Sequence, residues 1–203
     1  METPRGTASV EITEPAADAM SLLVLGHGAG GGVNAPDLAA VARMAVARSV
    51  VVALVTQPYR VAGRRSPAPA PHLDEAWTAV VSELKSGPYG SLPIVVGGRS
   101  SGARVACRTA TAVGASAIVA LAFPLHPPGR PDRSRDAELD SDVPTLVVNG
   151  DRDPFGVPDA RANVTVLVRA GQRHDLRGDA RGTATLVCDW LAERRLAGPA
   201  DAA

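Results

Sequence analysis

The chain has 203 residues, 45% of them hydrophobic and 21% charged, and its 21 Lys plus Arg balance 21 Asp plus Glu to give a formal net charge of zero. That length suits one globular domain that buries roughly 70% of its unfolded surface without help from a metal or disulfide, and a neutral chain has no overall field to draw it onto nucleic acid or an anionic membrane. Aromatic residues make up only 3%, too few for base-stacking platforms, and the two cysteines, Cys107 and Cys188, lie outside any C-x-x-C pair, which excludes a disulfide framework and a structural zinc site.

Residues 1–19 carry Glu2, Glu11, Glu14 and Asp18 and lack a basic start followed by an apolar stretch, so they do not read as a signal peptide. The longest early apolar run, residues 20–25, falls far short of the ~20 residues a membrane-crossing helix needs. A cytoplasmic protein is expected. In chain order, residues 10–13 suggest a short edge strand. Residues 22–25, 50–55, 94–96, 117–121, 146–148 and 164–168 are continuous apolar runs of strand length. Unbroken apolarity suits strands covered on both faces, as in a parallel sheet. Helical periodicity falls between them, over residues 37–47, 73–84, 101–113 and 182–196, with Trp77 and Trp190 on the apolar stripes. This alternation predicts the α/β class, a mostly parallel central sheet with helices on both faces and right-handed crossovers. Residues 60–71 and 124–144 are rich in proline and read as long loops, residues 197–203 as a frayed tail. No repeat or domain boundary interrupts residues 1–203.

The strongest chemical signal is Gly98-Arg99-Ser100-Ser101-Gly102, a G-x-S-x-G pentapeptide between an apolar strand and a helix. A sharp strand-to-helix turn strains the backbone of its central residue and crowds the positions two before and two after, so both must be nearly free of side chain. Gly98 and Gly102 meet that demand for Ser100; around Ser101 the same positions are Arg99 and Ala103. The turn also aims the backbone N–H of Ser101, at a helix N-terminus, towards developing negative charge. The five residues alone fit a serine N-cap equally well.

Three further segments extend the pattern. Gly26-His27-Gly28-Ala29-Gly30-Gly31-Gly32 follows the first apolar run. A glycine-rich loop there lets backbone line a pocket, and the Ala29 N–H is the candidate second donor of an oxyanion hole. The same segment matches the G-x-G-x-x-G of dinucleotide binders, but that reading needs an acid about 20 residues on. Between Asp37 and Asp74 there is no Asp or Glu, and no Gly-Lys-Ser/Thr exists for a P-loop. No cofactor is therefore expected. Asn149-Gly150-Asp151-Arg152-Asp153 follows a late strand. Asp153 there can orient an imidazole, whereas Asp151 suits bracing the turn, and both acids also fit simple capping. Of the four histidines, only His174 lies downstream of that acid, in a loop after a strand. The order Ser100, Asp153, His174 is nucleophile, acid, base, each just past a strand, at the edge where open α/β sheets place their sites.

These residues resemble the α/β-hydrolase superfamily over nearly the whole chain. Leu-Gly-His-Gly-Ala-Gly-Gly (25–31), Gly-Gly-Arg-Ser-Ser-Gly-Ala-Arg (97–104), Phe-Pro-Leu-His-Pro-Pro-Gly (123–129) and Asn-Gly-Asp-Arg-Asp-Pro-Phe-Gly (149–156) resemble a small lidless group of that superfamily. The group includes testis-expressed and non-specific-lethal-complex proteins and is similar to dienelactone hydrolases. The resemblance implies Ser100 as nucleophile, Asp153 as acid, His174 as base, and the segment 123–129 as a fixed loop near the site. His27, Arg99 and His126 are candidate substrate contacts, with His27 also read as a loop-structuring residue and not as the base.

The expected activity is hydrolysis of a carboxylic ester or thioester of a small acyl substrate, with no metal, nucleic acid or membrane partner. Residues 124–144 are too short for a helical cap, so an open, shallow site is expected. Arg60, Arg64, Arg65 and Arg99 are candidates for attracting a substrate carboxylate, against the alternative of solvated loop arginines. The rival from another class is a catalytically idle hydrolase fold that serves as a binding or scaffold module.

Overall fold

The structure, a computed structural model, describes residues 1–200. A seven-stranded sheet holds β3 (Ser9–Thr13), β4 (Ser21–Gly26), β5 (Val50–Thr56), β6 (Ile94–Arg99), β7 (Ala117–Leu121), β8 (Thr145–Gly150) and β9 (Val164–Arg169) in the order β3-β5-β4-β6-β7-β8-β9. All neighbours are parallel except β3, which pairs antiparallel with β5 at one edge. The continuous apolar runs correspond to these strands. Within each run, alternate residues still serve opposite faces: Leu22 and Val24 enter one core with Trp77, while Leu23 and Leu25 enter the other with Trp190. Both faces of the inner strands β4 to β8 are covered, so the period-2 signal vanishes from the sequence although the pleat obeys it; the edge strand β9 departs from that expectation, with Val168 exposed.

Helices α3 (Ala70–Ser86) and α4 (Ser101–Thr109) cover the first face, α1 (Pro36–Ala47) and α5 (Ala180–Glu193) the second. Cys107 and Cys188 are core residues, and burial pushes their thiols up to about 12 and about 11. Among the described residues no helix is long and apolar enough to cross a membrane.

The structure differs from the sequence expectation in four places. Residues 60–71 are not wholly extended: α2 (Pro58–Val61) forms one turn, and α3 begins at Ala70 with a proline in its first turn. Proline fits there because the first helical N–H groups have no partner in any case. A hairpin of β1 (Glu2–Thr3) and β2 (Gly6–Thr7) precedes the sheet. Residues 124–144 contain a 3₁₀ turn, Asp136–Leu139, whose Leu139 enters the core. The expected tail is docked as far as Gly198. Leu196 and Ala197 are buried, the Leu196 carbonyl accepts from Ser21 Oγ (2.5 Å), and the Gly198 N–H donates to the Arg48 carbonyl (2.7 Å). Two apolar residues beyond α5 close the seam between α1 and α5; the rest of the tail, 201–203, lies outside the described residues.

Candidate active site

β6 ends at Arg99 and α4 begins at Ser101, so Ser100 alone makes the turn. Its φ of 52° and ψ of −107° are strained for a residue with a Cβ. The turn is pinned by the Ser100 N–H, which donates to the Leu121 carbonyl at the end of β7 (2.9 Å). The glycines two before and two after are needed for contact with β4. A Cβ on Gly98 would stand 2.5 Å from the Gly26 carbonyl oxygen, and one on Gly102 would stand 2.6 Å from the Gly26 carbonyl carbon.

Three side chains from distant segments meet here. His174 Nε2 lies 2.9 Å from Ser100 Oγ, and His174 Nδ1 lies 2.8 Å from Asp153 Oδ2. The Asp153 side chain is wholly buried, and its other oxygen accepts the Phe155 N–H (2.9 Å). An acceptor-only carboxylate on Nδ1 sets the neutral imidazole as the Nδ1–H tautomer, leaving the Nε2 lone pair to face the serine hydroxyl. The Phe155 ring packs on the imidazole, with centroids 4.2 Å apart. Ser101 is not part of this chain. Asp151 is exposed and makes no side-chain hydrogen bond among the described residues.

The segments that carry the two expected oxyanion donors both adjoin Ser100. Ser101 is the first residue of α4, so its N–H has no intrahelical acceptor and carries the positive end of the helix dipole. Gly28 lies against the turn, since a Cβ there would stand 3.6 Å from the Ser100 Cβ. The Gly28–Ala29 peptide is held by its carbonyl, which accepts from His27 Nδ1–H (2.8 Å) and the Gly31 N–H (3.1 Å). A trans peptide points its N–H opposite to its carbonyl, so the Ala29 N–H faces away from these bonds. Tyr59 Oη donates to the next carbonyl, that of Ala29 (2.9 Å).

The three expected substrate contacts are placed differently. His27 is buried, and both ring nitrogens are used inside the protein: Nδ1–H on the Gly28 carbonyl and Nε2 accepting the Gln57 N–H (3.1 Å). It braces the loop and is corrected from substrate contact to scaffold. Its burial holds the imidazole below its ordinary value, with Arg60 adding repulsion and the Gly28 carbonyl opposing. Arg99 is likewise committed internally: its Nε lies 3.0 Å from Asp37 Oδ2, and its Nη2 donates to the His174 carbonyl (3.3 Å). His126 is half-buried against Gly156, with Nδ1 on the Pro127 carbonyl (2.9 Å); no hydrogen bond joins it to Ser100, His174 or Asp153 among the described residues. Its backbone N–H donates to the Phe155 carbonyl (3.1 Å), which ties the 123–129 segment to the turn that carries Asp153.

Several residues support the site in roles that the sequence reading did not assign. Asn149, fully buried at the end of β8, accepts the Phe123 N–H and donates to the carbonyls of Phe123 and Gly156, holding both loops at once. Tyr59 and Asp37 were likewise invisible, because each acts on a residue remote in the chain. Arg64 lines a cleft of about 330 Å³ with Arg5, Tyr59 and His72, and none of the three converging side chains borders it. Among the described residues no three His, Cys, Asp or Glu side chains gather as a metal site.

A search of curated proteins finds no match to this sequence. Solved structures do share the fold. An alpha-beta serine hydrolase homologue from Coxiella burnetii superposes with a TM-score of 0.75 at 18% identity, covering 92% of this chain and 93% of its own. A serine hydrolase without lid from Xanthomonas campestris gives 0.71 at 19%, with 92% of each chain covered. A dienelactone hydrolase from Anabaena variabilis gives 0.72 at 17%, covering 92% of this chain and 91% of its own. The family model described as an alpha/beta hydrolase domain matches residues 19–185. With that span of sequence and this sheet, the chain belongs to the α/β-hydrolase family.

Proposed function

We propose that the protein is a serine hydrolase that cleaves a carboxylic ester or thioester of a small acyl substrate through an acyl-enzyme. The observation that carries this reading is the continuous chain Ser100 Oγ, His174 Nε2, His174 Nδ1, Asp153 Oδ2, with links of 2.9 and 2.8 Å. Links of that length are within reach for proton transfer.

In this mechanism His174 takes the hydroxyl proton as Ser100 Oγ attacks the carbonyl carbon. The Ser101 and Ala29 N–H groups stabilise the tetrahedral oxyanion. The imidazolium returns its proton to the leaving alcohol or thiol as the tetrahedral intermediate collapses to the acyl-enzyme. Water, deprotonated by the same His174, then releases the acid and restores Ser100. Asp153 holds the tautomer and stabilises the imidazolium. The segment between β7 and β8 has one 3₁₀ turn in place of a cap, which supports an open site for short acyl groups.

The test is direct. A fluorophosphonate probe should label Ser100 in the wild type and fail on Ser100→Ala and His174→Ala. Turnover of short-chain p-nitrophenyl esters should fall by about 10⁴-fold or more in Ser100→Ala, with the fold intact by circular dichroism. An unlabelled, inactive wild type would favour the scaffold reading.

A further inference from the structure

Arg99 precedes the nucleophile, yet its side chain serves the opposite arm of the site. The guanidinium is largely covered, with the side chain 16% exposed. It bridges three segments that the chain keeps far apart: the end of β6, the first turn of α1 through Asp37, and the loop that carries the base through the His174 carbonyl. Among the described residues Arg99 is the one hydrogen-bond donor to that carbonyl. The loop is otherwise pinned at its flanks, where the Gln172 carbonyl accepts from Arg152, the Leu176 N–H donates to the Arg173 carbonyl and Leu176 is buried.

Asp37 is unusual for an acid in a first helical turn. Such a residue normally faces water, where it favours the helix dipole without loss of solvation. Here the side chain is wholly buried, and neither oxygen makes a hydrogen bond with a side chain. Burial pushes the carboxyl up, opposed chiefly by the Arg99 charge. A buried carboxylate beside a converging nucleophile and base is a poor choice for helix stability alone. It makes sense as the anchor for a guanidinium that has a second task.

We propose that Asp37 and Arg99 form a positioning pair for the base, in which buried Asp37 fixes the Arg99 guanidinium and Arg99, through the His174 carbonyl, holds the imidazole at hydrogen-bond distance from Ser100. The assignment rests on the serine-hydrolase reading for its kinetic consequence but not for its structural one. Arginine is suited to the task because its rigid, planar guanidinium lies in ion-pair contact with Asp37 through one nitrogen and donates to the His174 carbonyl through another, which a lysine ammonium at the end of a flexible stem does not reproduce. Both partners are internal, so the pair sets the geometry of the reacting atoms without touching substrate.

Arg99→Lys and Arg99→Met test this, with Asp37→Asn as the anchor variant. Arg99→Lys keeps a cation beside Asp37, so its melting temperature should stay within about 3 °C of wild type. Its kcat on p-nitrophenyl acetate should still fall about tenfold to a hundredfold, the size expected when a reacting group drifts by a fraction of an ångström to an ångström. KM should change by less than about twofold, since uniform binding is untouched. The downfield Nδ1 proton resonance of His174 should broaden or disappear in all three variants. Wild-type kcat and an unchanged resonance in both Arg99 variants would overturn the proposal. A loss wholly in KM would also overturn it, by placing Arg99 on the substrate. If the wild type neither turns over ester nor takes the fluorophosphonate, the hydrolase reading falls, and the resonance alone decides whether the pair positions His174.

Discussion

The Cα of Gly102 packs directly on the carbonyl of Gly26, so that the first turn of α4 and the end of β4 touch backbone to backbone. The contact sets the spacing between the nucleophile turn and the loop bearing Ala29. Gly102→Ala would place a Cβ 2.6 Å from the Gly26 carbonyl carbon and 2.9 Å from the His27 carbonyl oxygen, and backbone on both sides leaves no flexible group to yield. Overpacking of this kind costs about 1–3 kcal/mol. Ester turnover should fall further than the loss of folded protein accounts for, because in the proposed mechanism the displaced segment carries an oxyanion donor. Chemical denaturation and active-site titration on one preparation separate the two effects.

Tyr59 offers a cleaner perturbation of the same loop. Its hydroxyl donates to the Ala29 carbonyl and its ring lies 5.8 Å from that of His27. Tyr59→Phe keeps the ring and removes one hydrogen bond, a loss of about 0.5–1.5 kcal/mol. The expected outcome is a small drop in melting temperature and a several-fold drop in kcat, seen also as slower fluorophosphonate labelling.

His27 gives the fold a dependence on pH. Its buried imidazole is held below the ordinary 6.5, and a proton on Nε2 would break the bond from the Gln57 N–H. In the unfolded chain the ring takes up a proton at its ordinary value. The stability His27 contributes is therefore fully present above 6.5 and is lost as pH falls through the lower folded value. In His27→Ala the Gly28 carbonyl keeps the bond from Gly31 while the buried Gln57 N–H loses its partner, costing about 1–3 kcal/mol near neutrality. The gap between wild type and variant should narrow from about pH 7.5 to about pH 5, measured by thermal unfolding.

Charge clamps the segment between β7 and β8. Arg104 makes two bonds to Glu138 (2.8 and 2.5 Å), and Arg108 joins Glu138 (3.3 Å) to Asp74 of α3 (2.6 and 2.8 Å). These side chains are about one-fifth exposed, so the pairs are partly desolvated and worth more than surface pairs. Glu138→Gln leaves two neighbouring guanidiniums short of charge. It should cost about 1–3 kcal/mol and speed tryptic cleavage after Arg133 and Arg135, both in this segment. Peptide mapping over a digestion time course reads the rate.

What the sequence made legible depended on the range of the interaction. The sheet was readable because each parallel strand is a local run, and burial on both faces removed only the alternation, as Leu22 to Leu25 illustrate. Ser100, Asp153 and His174 were readable because the glycines around the first are a local steric demand and because chain order supplies the rest. The β1–β2 hairpin was missed, since its strands have two residues each and no apolar period. The docking of Leu196 and Gly198 depends on Ser21 and Arg48, far back in the chain. Arg99 was read as a candidate substrate cation because its neighbours in sequence said nothing of Asp37, which it meets only when the first turn of α1 comes to the end of β6. Tyr59 and Ala29 lie 30 residues apart with no motif linking them. Long-range polar pairs of this kind have no spacing rule, and they make up most of what supports the site.

The anchorage of Leu196 and Gly198 bears on how the molecule can be handled. Ser21 opens β4 and Arg48 closes α1, so Gly198 sits at the rim of the sheet opposite the one that bears Ser100. A tether attached at Gly198 would hold the protein to a bead or sensor chip with the Ser100 rim turned outward, unobstructed by the support.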